Sequence, residues 1–189
     1  MKKLIAAAAG LLMLGPALAA ETTYTIDPAH SLQTYRYRHL GLSFAQGRFN
    51  NTTGKITLDP AKKTGSADVS IDVNSLDTGV DKLDEHLKSA DFFDAAKFPT
   101  ITFKSTAFKF DGDRVSSVAG NLTIHGVTRP ATLTVTNFAC TTHPMKKVPA
   151  CAANAMASIK RSDFGIAGYV PNVGDEIELN LEVEALADK

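Results

Sequence analysis

An all-β domain, an antiparallel barrel of about eight strands with one short helical insertion around residues 78–96, is the fold class this sequence predicts. Three observations predict it. Apolar and polar residues alternate at period two through most of the chain, the mark of half-buried strands. Turn-forming residues punctuate those runs at short intervals. One stretch alone shifts to the three-to-four spacing of an amphipathic helix.

The chain opens on a different pattern. Lys2 and Lys3 precede an apolar run from Leu4 to Leu14, and Gly15-Pro16 leads into Ala17-Leu18-Ala19. A basic start, a short apolar core and a small-residue end are the parts of an export signal, cut near Ala19 or Ala20. Residues 1–19 are therefore read as a signal peptide and residues 20–189 as one domain. The apolar run is far short of the ~20 residues a membrane-spanning helix needs, so the processed protein is not expected to be integral to a membrane. Its expected location is periplasmic or secreted. Removing Lys2 and Lys3 from the 20 basic residues leaves 18 against 20 acidic ones, spread along the chain. That balance offers nothing to a nucleic-acid partner.

Strands follow in order. Weaker alternation covers Thr22–Ile26, Leu32–Arg38, Phe44–Phe49 and Lys55–Leu58. Val69, Ile71 and Val73 then alternate with Asp68, Ser70 and Asp72, and Ile101 and Phe103 follow Pro99. Leu122 and Ile124, then Leu133 and Val135, alternate with Asn and Thr. Ala155, Ala157 and Ile159 lead to Arg161, and Ile177, Leu179, Leu181 and Val183 alternate with Glu and Asn. Turns fall at Asp27-Pro28, at Asn50-Asn51-Thr52-Thr53-Gly54, at Asp59-Pro60 and at Gly126 ahead of Arg129-Pro130. Asp111-Gly112-Asp113 between Phe110 and Val115 reads as a hairpin.

From Thr78 the apolar positions fall at Val80, Leu83 and Leu87, with Thr78 and Asp81 placed as a capping box. Asp81, Asp84 and Glu85 form the solvated face of that helix. A second short turn carries Phe92, Phe93 and Phe98 before Pro99 stops it.

Such a series makes a barrel or a sandwich, and an up-and-down barrel of about eight strands either fills its interior or holds one small ligand. Ala67, Ala155 and Ala157 are small inward residues that leave volume unfilled, a pointer to a cavity. Cys140 and Cys151, the only two cysteines, lie in a turn-rich segment of an exported chain. A structural disulfide is expected there, because the spacing fits neither a redox Cys-x-x-Cys nor a zinc knuckle.

Catalytic and metal signatures are missing from the sequence. The five histidines form no His-x-x-x-His or His-Glu-x-x-His pattern, and there is no Gly-x-Ser-x-Gly or glycine-rich phosphate loop. No metal or cofactor is expected beyond a bound ligand. Asn50, Asn51 and Asn121 begin Asn-x-Thr sequences, read as chance matches behind a short, bacterial-looking signal. His39 shares the parity of Tyr35 and Tyr37, and serves either as a polar mark facing the interior or as a hydrogen-bonded rim residue. The Phe92-Phe93 and Phe98-Pro99 segment either plugs one barrel end or frames an entrance. Arg161 to Gly165 ends a strand with an Arg–Asp ion pair beside Phe164.

In series these segments resemble the YceI-like family. The matching runs are Tyr24 to Ser31, Arg38 to Gly41, Gly47 to Phe49, His86 to Asp94, Lys97 to Phe103, Gly120 to Pro130, Arg161 to Gly165 and Val173 to Ile177. The resemblance implies a lipocalin-like barrel, exported, whose axial apolar tunnel binds polyisoprenoids or related long-chain amphipathic lipids such as isoprenoid quinones. With that comes an expected ligand set: Tyr35, Tyr37, Phe49, Phe92, Phe93, Phe98 and Phe103 for the tail, His39 and Arg161 for the head. No catalytic residue is implied. Two other readings stay open: a lipid- or quinone-modifying enzyme using His39 at the cavity mouth, and a stress-response protein acting through protein partners. The sequence also leaves open a homodimer. The segment around Cys140–Cys151 is more elaborate than the family pattern.

Overall fold

The computed structural model describes residues 21–188, so the proposed leader and its cleavage point lie outside the described residues. Alternation becomes strand where expected: β1 (Thr22–Ile26), β2 (Gln33–His39), β3 (Ser43–Phe49), β4 (Thr52–Asp59), β5 (Thr64–Asp72) and β6 (Leu76–Asp77) come first. The helix α1 (Asp81–Lys88) separates them from β7 (Thr100–Asp111), β8 (Arg114–Ile124), β9 (Val127–Thr142), β10 (Pro149–Lys160) and β11 (Val173–Ala187).

These segments close into an eight-stranded antiparallel barrel. β1 and β2 both pair with β11, while β4 pairs with β1 and β3 pairs with β2. β1 and β2 are thus the two halves of one bent strand, and β3 and β4 the halves of its neighbour. The first bend is a 3-10 turn at Pro28–His30, where Asp27 accepts a 3.1 Å bond from the Ala29 N–H. The two-residue β6 lies against the end of β3. The β1–β11 ladder closes the ring, while the outer edge of β3 is paired only at Arg48 and Phe49, with β6.

Strand direction sorts the connections into two ends. The β2–β3 turn, a 3-10 turn at Arg161–Phe164, the loop 165–172 and the β8–β9 turn at His125-Gly126 gather at one end. α1 lies beside them, with His86 and Phe92 against Tyr169. The β4–β5, β7–β8 and β9–β10 turns gather at the other end.

The structure corrects several local expectations. Helix covers only Asp81–Lys88 of the expected span; Ser89 ends it, and the chain folds back through Phe93 N–H to Leu87 O (3.0 Å) and Asp94 N–H to Ser89 O (2.8 Å). Val80 is 55 % exposed at the N-cap rather than part of the apolar stripe. Thr78 bonds Asp84 (2.6 Å), not Asp81. The turn expected over residues 50–54 shrinks to Asn50-Asn51, because β4 takes up Thr52, Thr53 and Gly54. Arg129-Pro130 lies within β9, and the turn before it is His125-Gly126, both in the left-handed region at φ 51° and 74°.

Cys140 and Cys151 are bonded, facing each other directly across the β9–β10 ladder. The link closes a loop of sequence separation 11. Restricting such a loop in the unfolded chain is worth roughly 3 kcal/mol. Cys151→Ser should lose about that much in urea unfolding; an unmoved midpoint would show that the β9–β10 ladder holds this hairpin without the bond.

Candidate functional site

Period-two alternation has a direct consequence inside a closed barrel: every inward residue faces the axis. In β11 these are Ile177, Leu179, Leu181, Val183 and Ala185, and all five border a cavity of about 480 Å³ running along the barrel. Such a volume is typical of a small-molecule site. Ala67, Ala153 and Ala155 also border it, and their short side chains leave the space open. Ala157 shares that parity but does not reach the cavity. The lining runs from His39, Tyr37 and Tyr169 at one end to Leu58, Phe108 and Phe138 toward the other. The stretch of β11 from Ile177 to Ala185 gives it a depth of roughly 20 Å, at ~3.3 Å per residue and a typical barrel tilt.

Eight of the nine residues expected to meet a ligand border this cavity: Tyr35, Tyr37, His39, Phe49, Phe92, Phe93, Phe103 and Arg161. Phe98 does not. The chain turns at Asp94, so Phe98 lies over the β8–β9 turn instead, its ring 4.7 Å from that of His125 and packed against Gly126. The aromatics pack in two clusters. Tyr35 contacts Tyr37 at 6.3 Å and Phe49 at 5.8 Å, and Phe49 meets Phe93 edge-on at 5.7 Å. Near the mouth Phe92 stacks on Tyr169 at 6.0 Å, with His86 edge-on to Phe92 at 5.0 Å.

Polar groups are few and graded along the tunnel. Tyr35 lies across Gly47, where any Cβ would collide with its ring. Its buried hydroxyl has no hydrogen-bond partner, and burial pushes its pKa up. Tyr37 is half-buried; burial raises its pKa against the opposing charge of Arg161. His39 is exposed at the rim. Among the described residues, no group of three or more His, Cys, Asp or Glu is placed to hold a metal.

Among the described residues Arg161 is the one buried cation, 8 % exposed. Its Nε donates to Gly174 O (2.9 Å), Nη1 to Ile166 O (2.8 Å), and Nη2 to Gly168 O (2.8 Å) and Val173 O (2.9 Å). Four of its five N–H donors are thus spent on carbonyls of the loop that carries Tyr169 (Ile166 and Gly168) and of the start of β11 (Val173 and Gly174). The expected Arg161–Asp163 ion pair does not form: Asp163 is exposed, and the nearby carboxylate is Asp175. Burial lowers the Arg161 pKa, and Asp175 works against that. Asp175 itself accepts Ser162 N–H (2.9 Å) and hydroxyl (2.8 Å) bonds. Burial opposes its charge, yet those bonds and the Arg161 and Lys160 charges keep its pKa below the usual carboxylate range.

α1 is held to the barrel wall through Asp77. Arg48 Nη2 (2.8 Å), Asn50 Nδ2 (3.2 Å) and the Gly79 N–H (2.8 Å) all donate to its carboxylate. Arg48 first, then Asn50 and Gly79, lower its pKa from 3.8 to about 2. A depressed carboxylate stabilises the fold above its unfolded pKa, and that contribution is lost as pH falls through the folded one. Between about pH 4 and 2 the wild type should lose this support progressively. Asp77→Asn, lacking it throughout, should show a shallower acid transition by circular dichroism; parallel acid curves would contradict this.

Several lining residues escape the sequence pattern. Phe108 and Phe138 have the wrong parity relative to Phe103 and Val135. Bulges at Ser105/Ala107 and opposite Asn154/Ala155 each insert a residue and flip the later side chains inward. Tyr169 sits in an irregular loop with φ 62°, beyond any periodic signal. His86 is legible only as part of the amphipathic helix.

Comparison with known proteins bears on this geometry. The YceI-like domain family model matches residues 24–185. A UPF0312 protein of Pseudomonas aeruginosa is 38 % identical over 192 residues, covering 98 % of this chain and 98 % of that protein. Among solved structures, Burkholderia cenocepacia BcnA superposes with TM-score 0.70 at 27 % identity, covering 85 % of this chain and 99 % of that one. A polyisoprenoid binding domain from Saccharophagus degradans, implicated in plant cell wall breakdown, has TM-score 0.66 at 16 % identity and covers 91 % and 100 %, a likeness of fold.

Proposed function

The chain belongs to the YceI-like domain family, and from that premise we propose that it is an exported carrier of a long-chain amphipathic lipid, a polyisoprenoid, isoprenoid quinone or similar molecule. One observation carries the reading: a closed barrel encloses an almost wholly apolar cavity of about 480 Å³, with Tyr37, His39 and His86 gathered toward one end. Each methylene moved from water into such a space gains about 0.8 kcal/mol, so an apolar tail binds without polar contacts along its length. The head then rests near Tyr37, His39 and His86, and the tail points toward Phe108 and Phe138. A tail longer than the roughly 20 Å tunnel depth extends out of the mouth. Export is supported by the leader pattern and by the disulfide, which persists in oxidising compartments. No cofactor is needed for this work.

Organic extraction of purified protein, followed by mass spectrometry, tests the proposal. The expected result is a stoichiometric long-chain lipid. Protein that yields none, and takes none up from an isoprenoid mixture, has another role.

A further inference from the structure

The mouth of the tunnel carries apolar residues that remain exposed to solvent. On the β2–β3 turn Leu40 is 54 % exposed and Leu42 84 %, and at the start of β3 Phe44 is 52 %; on the adjoining loop Tyr169 is 62 % exposed and Val170 39 %. The two segments are joined, since the Leu40 N–H donates to Asn172 O (2.7 Å) and His39 pairs with Val173. Leu40 (φ 51°) and Tyr169 (φ 62°) both lie in the left-handed region, which costs a non-glycine residue conformational energy. Strained backbone here presents greasy side chains to solvent, at the point where the cavity opens.

Arginine side chains flank the patch. Arg36 and Arg38 place their guanidiniums over the Phe44 ring, 4.9 and 5.0 Å from its centre. Arg36 is paired with Glu178; Arg38 donates to Gly41 O (3.0 Å) and has no carboxylate partner among the described residues. We propose that this end of the barrel docks on a lipid bilayer bearing anionic headgroups, with Leu40, Leu42 and Phe44 entering the interface and Arg38 meeting the phosphates. Leucine and aromatic tips flanked by arginine suit that boundary, where apolar groups enter the acyl region and cations stay with the headgroups. A two-fold contact with a second copy would instead set Arg38 near its own symmetry mate, a like-charge cost. Docked mouth-down, the barrel passes a tail between bilayer and tunnel without exposing it to water. This use of the patch rests on the carrier reading, but docking itself is measured without a carried lipid.

The test is flotation of protein purified from the expressed full chain, with vesicles of phosphatidylcholine alone or mixed with phosphatidylglycerol. Wild type should float with the mixed vesicles and release as salt rises. Leu42→Glu should weaken binding about tenfold or more, Phe44→Ser should weaken it too, and Arg38→Glu should abolish the preference for anionic vesicles. Wild type that stays unbound, or Leu42→Glu that floats equally well, overturns the proposal. So does a dimer in light scattering that Leu42→Glu splits, which makes the patch a copy-to-copy contact. Uptake of a fluorescent isoprenoid from dilute detergent reads the carrier function separately. Retained uptake by Leu42→Glu supports docking as a distinct role, and loss of uptake together with docking overturns it. If wild type takes up no lipid, the carrier reading fails alone while flotation still decides docking.

Discussion

Ala155→Trp should reduce affinity for a long-chain lipid by about a thousandfold while leaving the barrel folded. Ala155 lies midway along the tunnel, 8 % exposed, paired with Val135 and Leu181 and bordering the cavity. An indole there takes the place of roughly five methylenes of ligand, about 4 kcal/mol at ~0.8 kcal/mol each. Larger side chains ordinarily cost a packed core about 1–3 kcal/mol, because neighbours must leave their rotamers. Here the space already exists, so the penalty should stay at or below the bottom of that range. The substitution also supplies its own reporter, since the chain has no tryptophan. Blue-shifted emission would place the indole in the dry tunnel, and lipid titration would give the affinity loss. Undiminished binding with blue-shifted emission would mean the tail lies elsewhere.

How legible the fold is in the sequence depends on the kind of order involved. Period-two strands were legible because the barrel buries one face along nearly its whole length, so Ile177, Leu179, Leu181 and Val183 declare their side directly. Bulges are a different matter. One extra residue near Ala107 and another near Thr136 move Phe108 and Phe138 to the opposite parity, and nothing in the local composition marks the insertion. The helical insertion is shorter than its expected 78–96 span because Ser89 ends the helix and backbone bonds from Phe93 and Asp94 back to Leu87 and Ser89 wind the chain into turns, with Phe92 and Phe93 on the second short turn that the sequence places there. Sequence proximity and aromatic type group Phe98 with them. Its position was decided by a long-range partner, the His125-Gly126 turn, where Gly126 leaves room for its ring. Arg161 shows the same limit from the polar side. Arg161 and Asp163 two residues apart suggest a pair, yet the guanidinium is claimed by backbone carbonyls of residues 166, 168, 173 and 174, which only the closed loop brings together.

That arrangement makes Arg161→Met the substitution with the largest expected cost in stability. Removing the guanidinium leaves four carbonyl oxygens without their donor, in a site where Arg161 itself is only 8 % exposed. Abandoned buried acceptors cost about 1–3 kcal/mol each before relaxation; with solvent reaching some of them, a total loss of about 4 kcal/mol in urea unfolding is expected. Lysine should not rescue it, because one compact ammonium with three donors cannot span the planar fork that reaches all four oxygens. Asp163→Ala provides the control: with its carboxylate exposed and outside the network, it should be nearly neutral. Amide exchange localises the effect. Arg161→Met should speed exchange through residues 166–174 far more than in β4 or β5, since the brace ties that loop to the barrel end. The same loop carries Tyr169, stacked on Phe92 at the mouth. Loosening it should therefore raise the lipid dissociation rate more than the association rate, which separates a brace from a headgroup ligand. An Arg161 that instead bound the head directly would give its largest change with headgroup chemistry, and exchange in the loop would stay as slow as in wild type.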